Sequence, residues 1–231
     1  LSQRPAGKAL PLPGDCYMIM ENERNLVDRI KSDETYVRSY SKNKRFTGVH
    51  VATKLWVGDY KSAKEFSELA EAAKGIRRLG VLRADVDNLG QAFVSGFEDK
   101  YTSISRTTTF SRKLSMFFKL HINSILRNPT FSWSEKVPNR RNALIVYSGG
   151  DDVFLIGAWD DVIGFAIDLN DSLKKYSQNT LSISAGVGIF PEKHPVSAMA
   201  YETGRLEELS KRYERKDSTT KDAITLFNEE G

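Results

Sequence analysis

Hydrophobic and polar positions divide the chain into a β-rich opening and a longer region where strands alternate with helices. Residues 1–15 carry Pro5, Pro11 and Pro13 with Gly7 and Gly14, a pattern that predicts a linker or extended arm. Tyr17–Met20, Tyr36–Tyr40 and Gly48–Val57 read as strands. In the last of these Val49, Val51, Thr53, Leu55 and Val57 alternate with the residues between them. A boundary after residue 60 is therefore expected, with a linker and small β-rich subdomain over 1–60 and a larger domain over 61–231.

In the larger region the rhythm is regular. Ser62–Lys74 places Phe66, Leu69, Ala70 and Ala73 on one helical face, and Gly75 supplies a stop. Leu79–Val86 reads as a strand and Asn88–Phe97 as a short helix, followed by a polar loop over Glu98–Thr109. Ser111–Leu126 is an amphipathic helix with Leu114, Phe117, Phe118, His121, Ile122 and Ile125 inward. A loop over Asn128–Arg141 leads into a hairpin, Asn142–Ile156. Asp160 is placed to cap a helix through Tyr176. Leu181–Ile189 is a strand with one apolar face and one of small residues, Ser182, Ser184, Gly186 and Gly188. The small face suits close approach by a helix or a nucleotide. Pro195 opens a helix towards Tyr213, and Ala223–Phe227 is a last strand. This order predicts an α+β fold, the split βαβ plan of ferredoxin-like domains, with an antiparallel sheet and packed helices.

The hairpin carries the candidate chemistry. Two apolar runs, Ala143–Tyr147 and Val153–Ile156, flank Ser148, Gly149, Gly150 and Asp151. A glycine at the turn supplies the positive φ that tight hairpins need. Asp151 and Asp152 are adjacent at the tip, where like charges repel and a hard divalent cation would relieve them. In a ferredoxin-like plan the first and third strands are antiparallel neighbours. That puts the end of Leu79–Val86 beside the start of Asp152–Ile156. Asp85, Asp87, Asp151 and Asp152 then crowd one sheet edge, as a two-metal phosphoryl-transfer site requires. Asp85 suits a metal role; Asp87 suits a cap. Asn88 opens a short helix whose free N–H groups suit phosphate oxygens, and Gly149 and Gly150 leave room for a nucleotide. Lys211 suits either a phosphate contact or a solvated position.

Composition narrows the class. The chain has 231 residues, 40% apolar and 28% charged, with a net charge of +4. No apolar run reaches the roughly 18 residues of a membrane span. One cysteine, Cys16, excludes an internal disulfide and a multi-cysteine zinc site, and fits a cytoplasmic location. Basic pairs such as Arg77–Arg78 and Arg140–Arg141 read as solvated clusters that permit an anionic partner. The opening Leu-Ser-Gln-Arg-Pro, without an initiator Met, is that expected of a piece of a longer protein.

Five stretches carry a family resemblance: Leu79–Gly90 (LGVLRADVDNLG), Tyr147–Phe154 (YSGGDDVF), Ser182–Gly188 (SISAGVG), Gly204–Leu209 (GRLEEL) and Lys221–Phe227 (KDAITLF). They resemble the palms of class III and GGDEF-type nucleotide cyclases. More closely, they resemble the large palm-containing subunit of type III CRISPR effector complexes, in its Csm (type III-A) branch. The resemblance implies a nucleotidyltransferase that joins ATP into cyclic oligoadenylate with Mg²⁺ or Mn²⁺ when target RNA pairs with the complex's guide. It implies that Asp151 and Asp152 are the catalytic metal-binding pair and Asp85 a further metal ligand. Ser148, Gly149, Gly150 and Lys211 would bind the nucleotide, beside the Asn88 turn already read as a phosphate contact. It implies as partners a second palm and the other subunits of the complex, and no membrane. Asp152-Val153 stand where a diguanylate cyclase carries Glu-Phe, which disfavours guanine signalling. The family's nuclease domain, first palm and zinc-binding cysteines have no counterpart in this sequence. Two other readings stand beside this one: a non-catalytic RNA- or protein-binding scaffold, and a cyclase using another nucleotide.

Overall fold

In the computed structural model the described residues are 9–12, 16–19, 40–42, 53–95, 103–133, 137–214 and 220–227. The chain forms two compact units, Leu1–Leu55 and Trp56–Gly231. The smaller unit holds two strand pairs. β1 (Ala9–Leu12) runs antiparallel to β2 (Cys16–Ile19), and β3 (Tyr40–Lys42) runs parallel to β4 (Thr53–Leu55). The linker expected over 1–15 thus contains a strand, in which Pro11 lies opposite Tyr17. A two-stranded ribbon leaves outward-facing N–H positions where proline is tolerated. Most of the strands expected at Tyr36–Tyr40 and Gly48–Val57 lies outside the described residues.

The larger unit begins at Trp56, ahead of the boundary expected after residue 60. Tyr60 is buried in its core and its hydroxyl donates to the Arg141 carbonyl at 2.5 Å. The Asn123 side chain accepts from the backbone N–H groups of Asp59 and Tyr60, fixing this entry segment. The elements that follow are α1 (Phe66–Glu71), β5 (Leu79–Val86), α2 (Leu89–Ser95), α3 (Ile104–Met116), a π-helical turn (Phe117–His121), α4 (Ile122–Arg127), β6 (Ala143–Gly149), β7 (Asp152–Ala158), α5 (Trp159–Tyr176), β8 (Ile183–Phe190), α6 (Val196–Arg212) and β9 (Ile224–Leu226). The sheet order is β6-β7-β5-β8-β9. The first four of these strands are antiparallel neighbours in the ferredoxin-like order. β9 adds parallel to β8, a departure from the all-antiparallel expectation.

Alternation along β5 builds the core. Leu82, Ala84 and Val86 face a large apolar cluster with Leu114, Phe117, Phe118, Ile122, Val162, Phe165 and Leu169. Leu79 and Val81 face a smaller one with Leu69, Ala70, Ile156, Phe190 and Met199. On this second face the next two residues are Arg83 and Asp85. One face of one strand thus turns from apolar to charged midway, and at the charged end Glu207 and Lys211 of α6 pair with Arg83 and Asp85.

Several helix boundaries differ from the pattern. α3 starts inside the expected polar loop, because Ser103 caps it by accepting from the Arg106 N–H at 3.3 Å. The helix is continuous to Arg127, but the π turn widens it, and His121 lies exposed beside Phe117 and Tyr176 rather than in the core. An extra residue in one turn rotates everything after it, which 3.6-residue periodicity does not anticipate. Asp160 does not cap α5, which opens at Trp159; its carboxylate accepts from the Lys74 N–H at 3.2 Å.

Arg141, expected on a solvated cluster, is buried at 2% exposure. It pairs with Asp161 at 3.3 Å and Asp168 at 2.7 Å, and donates to the Phe131 carbonyl at 2.6 Å. Gly164 makes room for it: a Cβ there would lie 2.4 Å from a guanidinium nitrogen.

The small-residue face of β8 is covered by a helix. A Cβ on Gly186 would sit 2.4 Å from the Glu207 backbone nitrogen and 2.6 Å from the Thr203 carbonyl oxygen. Gly186→Ala therefore has to push α6 off the sheet. Overpacking of this kind costs about 1–3 kcal/mol. A urea titration should show a lowered midpoint at unchanged slope.

Candidate active site

The site is assembled by the register of the three middle strands. Asp85 on β5 lies directly opposite Asp152 on β7 and Ser184 on β8. The Val86 N–H donates to the Asp151 carbonyl at 3.1 Å, so Val86 and Asp151 form a hydrogen-bonded pair. The neighbouring pair, Asp85 with Asp152, is then of the non-hydrogen-bonded kind. That kind brings side chains closest, with Cα atoms about 4.5 Å apart. The expected convergence of the first strand with the glycine hairpin is thus met in the backbone.

The turn of the hairpin is Gly150–Asp151, since Gly149 pairs with Asp152. Gly150 has φ +69° and Asp151 is not among the positive-φ residues, the pattern of a type II′ turn. A Cβ on Gly150 would meet nothing within 4 Å, which leaves the space above the tip clear.

Charge is crowded here. Burial pushes the Asp152 carboxyl above its usual range, and the charges of Asp151 and Asp85 push it the same way; its own backbone hydrogen bond and the Tyr147 hydroxyl pull it back. The Tyr147 phenol is raised in turn, chiefly by the Asp152 charge.

A cationic network faces the carboxylates from α6. The Lys211 ammonium lies 2.6 Å from Asp85 and 2.6 Å from Glu207. Arg83 lies 3.4 Å from the other Glu207 oxygen. Burial alone would lower the Lys211 pKa, but hydrogen bonds to Asp85 and Glu207 outweigh it and hold it above its usual range.

Two expected members of the site are engaged elsewhere. The Ser148 side chain lies on the opposite face of the sheet, where its hydroxyl donates to the Phe118 carbonyl. The cause is a β-bulge: Ile145 pairs with Leu155, but Tyr147 pairs with Phe154, leaving Val146 as the extra residue. Without it Ser148 would stand opposite Asp152. Asp87 is buried and satisfied, accepting from Ser182 and Ser184 hydroxyls at 2.7 Å each and from the Asp222 N–H at 3.0 Å. It ties β5 to β8 and to the approach to β9, and is neither a helix cap nor free to bind metal. Asn88, at φ +53°, is exposed and accepts from Lys221 at 2.6 Å.

Arg83, Glu207 and Tyr147 were not singled out by sequence reasoning. Arg83 shares the face of Asp85 at a spacing of two, and Glu207 precedes Lys211 by one helical turn, so both were legible in principle. The bulge that aims Tyr147 has no such signal.

Asp85 and Asp152 fit a hard divalent cation by donor type and by facing each other across a close pair. Among the described residues no group of three or more His, Cys, Asp or Glu side chains gathers around one point.

The family model of the Cas10/Cmr2 second palm domain matches residues 78–220, a span that runs from β5 past α6. The chain belongs to this family. Among curated relatives, a Mycobacterium tuberculosis protein is 45% identical over 97% of this chain, and an Enterococcus italicus protein 44% identical over 97%. Both are called CRISPR system single-strand-specific deoxyribonuclease Cas10/Csm1 (subtype III-A). The chain spans 28% of the length of each. Among solved structures, a Csm1–Csm4 cassette in complex with cA4 superposes with a TM-score of 0.69 at 27% identity, covering 82% of this chain and 28% of that one. A Csm1–Csm4 cassette in complex with AMPPNP gives 0.65 at 30% identity, covering 74% and 26%. Csm1 from T. onnurineus gives 0.64 at 30%, covering 74% and 27%. The palm is therefore of the Cas10/Csm1 type, in the α+β architecture described above.

Proposed function

We propose that this palm joins ATP molecules through 3′–5′ phosphodiester bonds into cyclic oligoadenylate, as part of a type III-A CRISPR effector complex. The observation that carries the reading is the in-register pair of Asp85 and Asp152 at the foot of an uncluttered glycine turn. It is supported by the ligands of the structural neighbours, Csm1–Csm4 cassettes holding one ATP, pppApA, pppApApA and cA4. That series runs from substrate through linear chains to a ring.

In the proposed reaction the 3′-oxygen of one ATP attacks the α-phosphorus of the next. The new P–O bond forms as the bond to pyrophosphate breaks, and the hydroxyl proton leaves to solvent. Asp85 and Asp152, with Asp151 beside them, would hold Mg²⁺ or Mn²⁺, which would supply Lewis-acid activation of the hydroxyl and neutralise the phosphate oxygens. Lys211 adds a positive charge from α6 for the triphosphate, its ammonium held by Glu207, which also pairs with Arg83. Gly149 and Gly150 keep the space over the hairpin free of side chains.

The partners follow from the same likeness: a Csm4-type subunit, a second palm across the nucleotide, and guide and target RNA. No helix among the described residues is long and apolar enough to cross a membrane. The deoxyribonuclease in the relatives' names belongs to proteins of which this chain spans 28%, and the palm residues point to nucleotidyl transfer.

The test is to incubate the full-length chain in its complex with ATP, Mn²⁺ and target RNA, and to analyse the products by mass spectrometry. Rings of adenylate are expected. No adenylate oligomer, or equal product from an Asp151→Ala/Asp152→Ala variant, would sink the reading.

A further inference from the structure

We infer that Tyr147 is a positioning residue for this site: its hydroxyl orients the Asp152 carboxylate for the cation. The inference rests on the metal-dependent reading above. It starts from the bulge at Val146. β6 is the edge strand of the sheet, where an extra residue is tolerated. In unbroken register Tyr147 would lie opposite Val153, whose side chain is buried in the large helical core. One inserted residue exchanges the faces of everything after it. Tyr147 thereby moves onto the face of Asp152, and Ser148 moves off it.

Three features give the new position a purpose. Gly149, directly opposite Asp152, has no side chain, and the Tyr147 oxygen hangs 3.5 Å from where its Cβ would be. The Tyr147 side chain stands on the same face of the sheet as Asp152, and its hydroxyl reaches over the glycine that pairs with Asp152. The ring itself is 54% exposed, so core packing does not explain why a bulge should aim it. A donor on one carboxylate oxygen fixes the plane of the group and leaves the other oxygen for a metal. Partners of this kind typically contribute 10–100-fold to metal affinity.

The experiment measures Mn²⁺ affinity by calorimetry in the full-length chain, without nucleotide, for the unmodified protein, Tyr147→Phe and Asp152→Asn. Tyr147→Phe keeps the ring and removes the hydroxyl. It should weaken Mn²⁺ binding about tenfold with an unchanged thermal midpoint, and leave ATP affinity in EDTA unchanged. Unaltered Mn²⁺ affinity in Tyr147→Phe, with binding lost in Asp152→Asn, would overturn the positioning role alone. Weaker ATP binding in EDTA would overturn it as well, by showing that the hydroxyl touches nucleotide directly. Equal Mn²⁺ binding, or none, in the unmodified protein and Asp152→Asn would overturn the metal reading and this inference together.

Discussion

Asp152→Asn should abolish oligoadenylate synthesis and make the fold more stable. In the proposed reaction the loss follows from removing a charge that would hold the metal at the reacting phosphate. Interactions of that kind carry about a thousandfold or more in rate. The gain follows from the crowding: burial, Asp151 and Asp85 all raise the Asp152 pKa in the folded protein. A carboxyl whose native pKa is raised binds its proton more tightly folded than unfolded. Its destabilising contribution is absent below the unfolded pKa and complete above the native one. The asparagine variant should therefore melt higher than the unmodified protein at neutral pH, and the difference should shrink as pH falls through the native Asp152 pKa. Thermal melts across a pH series check this. A variant that melts lower at neutral pH would mean that the carboxylates are not in mutual repulsion. Function held at a cost in stability is the usual signature of an active site.

Arg141→Met should be the most destabilising single change in the larger unit, at about 3–5 kcal/mol. Among the described residues no cation other than this guanidinium pairs with Asp161 or Asp168, and all three are buried. Each acid has further donors: Asn142 for Asp161, and Thr130 with Phe131 for Asp168. Those hydrogen bonds do not balance a charge. Replacing Arg141, Asp161 and Asp168 together by apolar residues should cost much less than Arg141→Met alone, because no unpaired charge is then left in the core. Urea midpoints of the two variants decide the matter; equal losses would show that packing, not charge, sets the effect.

The strand plan was legible because β5 and β7 are near-continuous apolar runs and a split βαβ order leaves little freedom in how they pair. That alone brought Asp85 opposite Asp152. What was not legible came from single-residue irregularities. The bulge at Val146 moved Ser148 away from the site, and the π turn at Phe117–His121 rotated His121 to the surface. Both act by shifting a period that sequence patterns assume to be constant. Arg141 was hidden for a different reason. Its burial depends on Gly164 and on two acids from α5, and only their shared helix face marks them as one group. Asp87 was misjudged because its donors, Ser182, Ser184 and the Asp222 N–H, come from distant parts of the chain.

The central claim is that Asp85 and Asp152 hold one cation between them beneath a triphosphate. The most direct measurement is the anomalous scattering of Mn²⁺ in crystals of the full-length chain soaked with ATP. The account predicts a manganese peak bonded to both carboxylates and to phosphate oxygens, with Lys211 released from Asp85 towards the triphosphate. ATP bound with Lys211 still on Asp85 and the manganese elsewhere would contradict it.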